Sequence, residues 1–396
     1  MTASAGNLLI GQSGGPTAVI NASLYGAIRQ AMQSGSFGRV LGMRYGIAGF
    51  INDELFDFQF CSARTLDLLQ YTPGSALGSS RYKLRDDDMS AILILLEKYK
   101  IRGLLMIGGN DTMDTVSRIE KYCSGKGYEL SAAGIPKTVD NDLIGTDHTP
   151  GFPSAACYNI MSVRQGGFLA SSMRMVDRFT VMQSVGRDAG WLAASTALAK
   201  RAPHEAPHYI YMPERPITRE QVLADVESAV KEYGWCHIVI GEGALWSDGT
   251  PVSAAEKRDD FSNMEFGAAG GASAAINLHS FISRETGYRG EFQVPESLAM
   301  CASDRVSIVD RIEAINCGTK GTELIRGGES GFMVAMKRIS ASPYEIEYTT
   351  VPLEDVALKS RPMPHDFIDR KGSHVTEAFL EYISPLAGST ENFAVL

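Results

Sequence analysis

The sequence predicts an α/β protein of two doubly wound, mostly parallel-sheet domains, with an active site in the cleft between them. Three observations carry that prediction. Short apolar runs alternate with amphipathic stretches of helical period along most of the chain. Glycine-rich turns follow two of the apolar runs directly, where doubly wound sheets hold their ligands. A chain of 396 residues with 44% hydrophobic content and 40 glycines can form two cores joined by many tight turns.

Taken in order, residues 7–11 read as a strand, 17–33 as a helix and 40–43 as a second strand, so a β-α-β unit opens the chain. The alternation resumes with a helix over 87–100, a strand over 103–107, a helix beginning near Asp111 and an apolar stretch over 132–135. Strand-like runs recur at 179–185, 208–212 and 237–241, with helical patterns at 153–175 and 309–326. The chain closes with a strand-like 332–336, a polar stretch through Lys359, Ser360, Arg361 and Pro362, and a helix over 374–382. The expected division is one domain over 1–150, a second over 151–330 of which part returns to the first, and an extension over 331–396 packed on the core.

A net charge of −9 without any Lys/Arg-rich block argues against a nucleic-acid surface, so an anionic small substrate would need a local positive site. Cys61, Cys123, Cys157, Cys236, Cys301 and Cys317 lie far apart with no CxxC pair, which signals free thiols rather than a zinc cluster or disulfide framework. The first residues lack the basic region and apolar stretch of a signal peptide, and no apolar run approaches the ~20 residues of a membrane span. A cytoplasmic protein without a membrane partner is expected.

The first glycine turn is Gly11, Gln12, Ser13, Gly14, Gly15, Pro16 and Thr17, where adjacent glycines permit close backbone approach and Pro16 suits the first turn of a helix. The second is Gly108, Gly109, Asn110, Asp111 and Thr112. Neither fits GxGxxG or GxxxxGK[ST], which removes support from a nicotinamide enzyme and from a P-loop enzyme. Backbone amides and helix N-termini at such turns can hold anions.

After the apolar stretch come Pro136, Lys137, Thr138, Val139, Asp140, Asn141 and Asp142. An extended course is expected here, with Thr138, Asp140 and Asp142 on one face because residues two apart point the same way. One aspartate can accept a proton from an attacking hydroxyl, the other can hold magnesium, and Lys137 can neutralise a transferring group. Phosphoryl transfer needs little beyond such positioning and neutralisation.

These residues in this order resemble the phosphofructokinases, and more closely their pyrophosphate-dependent branch. The likeness runs over about residues 7–336. It includes the SGGP turn at 13–16, the LGSSRYKL run at 77–84, the GGND turn, PKTVDNDL from Pro136, TDHTPGF at 146–152 and GRDAGW at 186–191. The resemblance implies a donor-binding first domain and an acceptor-binding second one. Gly14, Gly15, Arg81, Gly109, Asn110 and Asp111 would meet the donor phosphates, with Asp140 as base, Lys137 on the transferring group, and Asp142 with Asn110 at Mg2+. Thr138, Gly186, Arg187, Glu242 and Arg289 would face the acceptor. ATP-dependent members resemble GGDGS and GTIDND, with glycine where this chain has Asp111 and Lys137. A side chain at Asp111 would crowd a nucleotide α-phosphate, and Lys137 would meet the charge of compact pyrophosphate.

Departures fall on the acceptor side. The family has methionine at Val185 and glutamate at Gln183. It also has a Gln-Arg pair, whose arginine binds the sugar 6-phosphate, where residues 294–300 contain no arginine, and a histidine and glutamine replaced near 261–267. Fructose 6-phosphate is thus the family default acceptor, giving fructose 1,6-bisphosphate. The alternatives are another sugar phosphate, a polyol or a nucleoside-like alcohol, or a conserved acceptor with the charge supplied by Arg178, Arg289, Arg305 or Lys337. An ATP-dependent enzyme and a non-catalytic regulatory subunit are the remaining alternatives. A homodimer or homotetramer is expected.

Overall fold

In chain order the strands are β1 (Asn7–Gln12), β2 (Val40–Met43), β3 (Leu55–Asp57), β4 (Ile101–Gly108), β5 (Ser131–Pro136) and β6 (Phe179–Ser184). They continue with β7 (Tyr209–Tyr211), β8 (Cys236–Gly241), β9 (Gly290–Gln293), β10 (Phe332–Ala341) and β11 (Tyr344–Pro352). The structure, a computed structural model, describes residues 6–254, 271–388 and 393–394. It divides into two units, one of residues 1–139, 143–152 and 300–360, the other of 140–142, 153–299 and 361–396. The replaced histidine and glutamine expected near 261–267 lie outside the described residues.

The first unit holds a seven-stranded sheet in the order β11-β10-β5-β4-β1-β2-β3. Its centre is parallel, and antiparallel partners close both edges. Successive residues of β1 point to opposite faces, so Leu8 and Ile10 join one apolar core while Leu9 joins another. The helices Ile20–Ser34 and Ile308–Arg326 contribute to the first core, Asp88–Lys98 and Asn110–Gly125 to the second. Helices on both faces explain why the central strands are buried along nearly their whole length. The second unit holds a parallel sheet in the order β7-β8-β6-β9.

The division of the chain is less sequential than expected. Residues 300–360 belong to the first unit, because β10 adds to its sheet at β5, pairing Phe332 with Ala133. Residues 361–396 belong to the second, where Phe367, Phe379 and Tyr382 pack around Trp191. Strands β3, β9 and β11 have no counterpart among the sequence-predicted strands. β9 is only four residues long, and β11 alternates half-buried and exposed residues at a sheet edge, so neither presents a continuous apolar run. No helix among the described residues is long and apolar enough to cross a membrane.

The helices Ile20–Ser34 and Ile308–Arg326 approach until backbone meets backbone. A Cβ on Gly26 would lie 2.0 Å from the Ile315 carbonyl oxygen, and one on Gly318 would lie 2.0 Å from that of Ser23. Only glycine permits this spacing, since a helix backbone cannot step aside as a flexible side chain can. Gly318→Ala is therefore expected to destabilise the protein by about 1–3 kcal/mol, seen as a lower urea midpoint with an unchanged slope.

Candidate active site

Three adjacent parallel strands of the first unit, β5, β4 and β1, end side by side, and each delivers a predicted donor element at its carboxyl end. β1 leads into Gly14 and Gly15, β4 into Gly109, Asn110 and Asp111, and β5 into Lys137. Backbone bonds tie these ends together: Ser13 N donates to Ile107 O at 2.9 Å, and Lys137 N to Gly108 O at 3.0 Å.

Glycine at Gly14 is favoured by its backbone and by what stands against it. Gly14 has φ +75°, and a Cβ there would come within 3.0 Å of Lys137 Nζ. The Lys137 ammonium donates to Gly15 O at 2.8 Å, and its side chain is almost wholly buried. Gln12, to which the sequence assigned no role of its own, fixes the same turn. Fully buried, it donates from Nε2 to Asn21 Oδ1 at 2.8 Å and accepts from Leu77 N at 3.0 Å. Ser79 Oγ adds a 2.6 Å bond to Gly14 O, so the loop bearing Arg81 is fastened to the turn. Arg81 is exposed and forms no ion pair with any described residue. The signal for Gln12 in the sequence was a polar residue ending an apolar strand.

On the neighbouring turn, Asn110 opens the helix Asn110–Gly125, with Gly109 before it in an extended conformation. Asn110 Oδ1 accepts from Asp111 N at 2.9 Å, and its Nδ2 donates to Lys359 O at 3.1 Å. Asp111 lies in the first helical turn, where the positive end of the helix dipole favours a carboxylate.

The segment after Lys137 is not extended, as the sequence suggested. β5 stops at Pro136, and Asn141 takes the left-handed conformation at φ +56°. A left-handed residue between Asp140 and Asp142 breaks the alternation that would have put Thr138, Asp140 and Asp142 on one face. The turn is held within the second unit. Asn141, fully buried, donates from Nδ2 to Tyr382 Oη at 2.9 Å, Arg361 Nη2 donates to Asn141 O at 2.8 Å, and Arg361 N donates to Asp142 O at 2.7 Å. Arg361 lies over the Trp191 ring at 4.8 Å. Asp140 and Asp142 are themselves half-buried.

Thr138 is supported in the first unit by a charged network that the sequence did not disclose. Thr149 Oγ1 donates to Thr138 O at 2.8 Å, and Asp310 accepts from Gly151 N at 2.9 Å. Between them, His148 is fully buried with Nδ1 2.8 Å from Asp147 and Nε2 2.6 Å from Glu313. A ring with a carboxylate at each nitrogen must donate from both, so it is an imidazolium. Burial alone would depress its pKa, but the bonds to Asp147 and Glu313 outweigh that and push it up to about 9. Arg338 completes the charge at Asp147, and Tyr344 Oη donates to Glu313 at 2.6 Å.

In the second unit, β6 and β8 pair with Ser184 opposite Gly241, and their carboxyl ends supply Gly186, Arg187 and Glu242. Glu242 N donates to Ser184 O at 2.9 Å, and Glu242 Oε1 accepts from Gly186 N at 3.1 Å. Gly186 has φ +134°, and a Cβ there would lie 2.5 Å from Ala189 O. The Glu242 carboxyl is pushed up to about 8, first by burial and then by Asp140 and Glu296, against the opposing Gly186 bond and Arg187 charge.

Arg289 does not join this group. It precedes β9 at the end paired with Phe179, the amino end of β6, opposite to the end that bears Gly186. Its guanidinium pairs with Asp177 at 2.9 Å while remaining 73% exposed. Glu296, by contrast, follows the carboxyl end of β9 and was not among the predicted residues.

A model of the phosphofructokinase family matches residues 7–325. The chain belongs to the phosphofructokinase family. It is thereby a phosphotransferase, and its relatives share nearly its whole length. It is 36% identical to a Halomonas elongata protein named pyrophosphate--fructose 6-phosphate 1-phosphotransferase, over 96% of this chain and 91% of that protein. A protein of Alkalicoccus urumqiensis named sulfofructose kinase is 34% identical over 92% of each chain. The crystal structure of a pyrophosphate-dependent phosphofructokinase from Nitrosospira multiformis superposes with a TM-score of 0.89 at 32% identity, covering 99% of this chain and 94% of that one. The α/β class and the family resemblance expected from the sequence both agree with these matches.

The His148 network has a calculable pH signature. Its folded pKa lies above the ordinary 6.5, so its stabilisation is complete below about pH 6.5 and is lost as pH rises through about 9. Comparing thermal midpoints of wild type and His148→Gln from pH 6 to 10, we expect a wild-type advantage on the order of 3 kcal/mol at low pH. That advantage should shrink steadily toward pH 10.

Proposed function

We propose that this chain transfers a phosphoryl group from pyrophosphate to a primary hydroxyl of a sugar. The observation that carries the reading is Lys137, buried and bonded to Gly15 O at the glycine turn. A fixed cation beside a glycine turn suits a compact, highly charged inorganic donor. Asp111 on the adjacent turn adds a carboxylate where a nucleotide would need room and no negative charge. The relatives' names make the 1-hydroxyl of fructose 6-phosphate the first acceptor to test, with fructose 1,6-bisphosphate as product.

In the reaction the acceptor oxygen attacks one phosphorus, the bond to the bridging oxygen breaks, and orthophosphate leaves. Asp140 takes the hydroxyl proton. Glu242, with its carboxyl raised to about 8, stays protonated near neutral pH and serves as a hydrogen-bond donor to the sugar rather than a rival base. Arg187 orients the acceptor with Gly186 and Thr138, while Arg81 meets the donor with Gly14, Gly15 and Gly109. Because a P–O–P bond and a sugar phosphate ester are close in energy, the reaction runs in either direction.

Magnesium fits the oxygen donors of Asp142 and Asn110, hard ligands of the kind this ion takes. When bound it neutralises pyrophosphate charge. No group of three or more His, Cys, Asp or Glu suited to a metal gathers among the described residues, in keeping with an ion held largely by substrate phosphates and water. A homodimer or homotetramer and a cytoplasmic location belong to the same reading.

A second reading, the same chemistry on an acceptor without a terminal phosphate, is favoured by Glu296 standing in a stretch that contains no arginine.

Asp140→Asn is expected to lower transfer at least ~100-fold while leaving pyrophosphate binding by calorimetry nearly unchanged; a near-normal rate removes Asp140 from the role of base. Wild type should use pyrophosphate and not ATP in parallel assays at saturating magnesium. The double change Lys137→Gly with Asp111→Gly should cost ~100-fold or more in kcat/KM for pyrophosphate and raise the ratio of ATP to pyrophosphate use.

A further inference from the structure

Three neighbouring parallel strands of the second unit, β8, β6 and β9, carry Glu242, Gln183 and Glu296 to one edge of their sheet. Gln183 ends one residue short of the β6 terminus and pairs with Ile240 of β8, while Met182 pairs with Gln293 of β9. Glu242 follows β8 directly, and Glu296 lies three residues beyond Gln293. Open parallel sheets bind ligands at this edge.

The orientation of Gln183 is dictated by its neighbours. Its Oε1 accepts from Ser273 Oγ at 2.8 Å and from Ala275 N at 3.2 Å. Both of those groups donate, so the amide nitrogen must face the other way, and it donates to Glu296 Oε1. Glu296 is buried, with a left-handed backbone at φ +33° that a residue with a side chain rarely adopts. Strain of this kind persists where surrounding structure holds the residue in place. A fully buried amide donor thus fixes an acidic side chain at the acceptor end, within electrostatic reach of Glu242, which is itself within reach of Asp140.

We infer that Glu296, oriented by Gln183, is a specificity-determining residue that selects an acceptor whose far end carries hydroxyl groups rather than phosphate. A carboxylate accepts hydrogen bonds from hydroxyls and repels a phosphate dianion, and in a buried setting like-charge juxtaposition is the stronger of the two effects. The relatives themselves differ in the acceptor they are named for, fructose 6-phosphate in one and sulfofructose in another, at 36% and 34% identity. Overall similarity therefore leaves the acceptor terminus to individual residues. The inference rests on the proposed transfer from pyrophosphate, and its step is the same: the hydroxyl proton goes to Asp140, a new P–O bond forms and orthophosphate departs.

The test is a pyrophosphate-consumption assay with 31P detection of product, offering unphosphorylated ketohexoses and hexitols beside their 6-phosphates, fructose 6-phosphate among them. Wild type is expected to show a higher kcat/KM for at least one unphosphorylated acceptor than for its phosphate. Glu296→Gln, which keeps shape and removes charge, should shift that ratio toward the phosphate by ~10-fold or more, mainly through KM. A wild type that prefers fructose 6-phosphate, or a Glu296→Gln ratio within about twofold of wild type, overturns the inference while leaving the proposed function standing. If a variant does not fold, the wild-type preference alone decides. Absence of transfer to every acceptor overturns the proposed function instead.

Discussion

A buried ammonium at the end of a parallel strand is the constraint on which the donor side depends. Lys137 leaves water because β5 is covered on both faces, and its charge must be met within the protein. The Gly15 carbonyl meets it in part, at the cost of excluding a Cβ from Gly14. That one contact ties three features together: adjacent glycines in the first turn, the placement of β5 two strands from β1, and the fastening of the loop around Ser79 through Gly14 O. It also fixes a positive charge at the carboxyl end of the sheet, beside the first glycine turn.

Opposite considerations govern the second unit. There the buried acidic residues are Glu242 and Glu296, and burial first, then Asp140 and Glu296, raises the cost of ionising Glu242. The Gly186 amide and Arg187 offset part of this, and Gln183 directs a donor at Glu296. The strand ends of the two units thus differ in the groups they bury, a lysine in the first and glutamates in the second.

Residues remote from the chemistry hold this arrangement. His148 sits as a cation between Asp147 and Glu313, and through Thr149 its loop supports the Thr138 carbonyl. Asn141 adopts a left-handed turn that Tyr382 and Arg361 secure from the other end of the chain. These contacts span separations of 165, 241 and 220 residues. No local pattern encodes partners so distant. For the same reason the periodicity that found most strands could not show that 300–360 returns to the first sheet and 361–396 to the second.

The sequence by itself determined the α/β class, the two glycine turns and the lysine-aspartate segment, because strand period, glycine and proline act through neighbours a few residues away. Arg81 and Glu242 were singled out only through the motif order that marks the family. Tertiary structure alone decided that Lys137 bonds Gly15, that Asp140 and Asp142 flank a left-handed turn, and that Arg289 lies at the opposite strand end from Gly186. It alone brought Gln183 and Glu296 together, since strand register rather than spacing sets which side chains meet at a sheet edge.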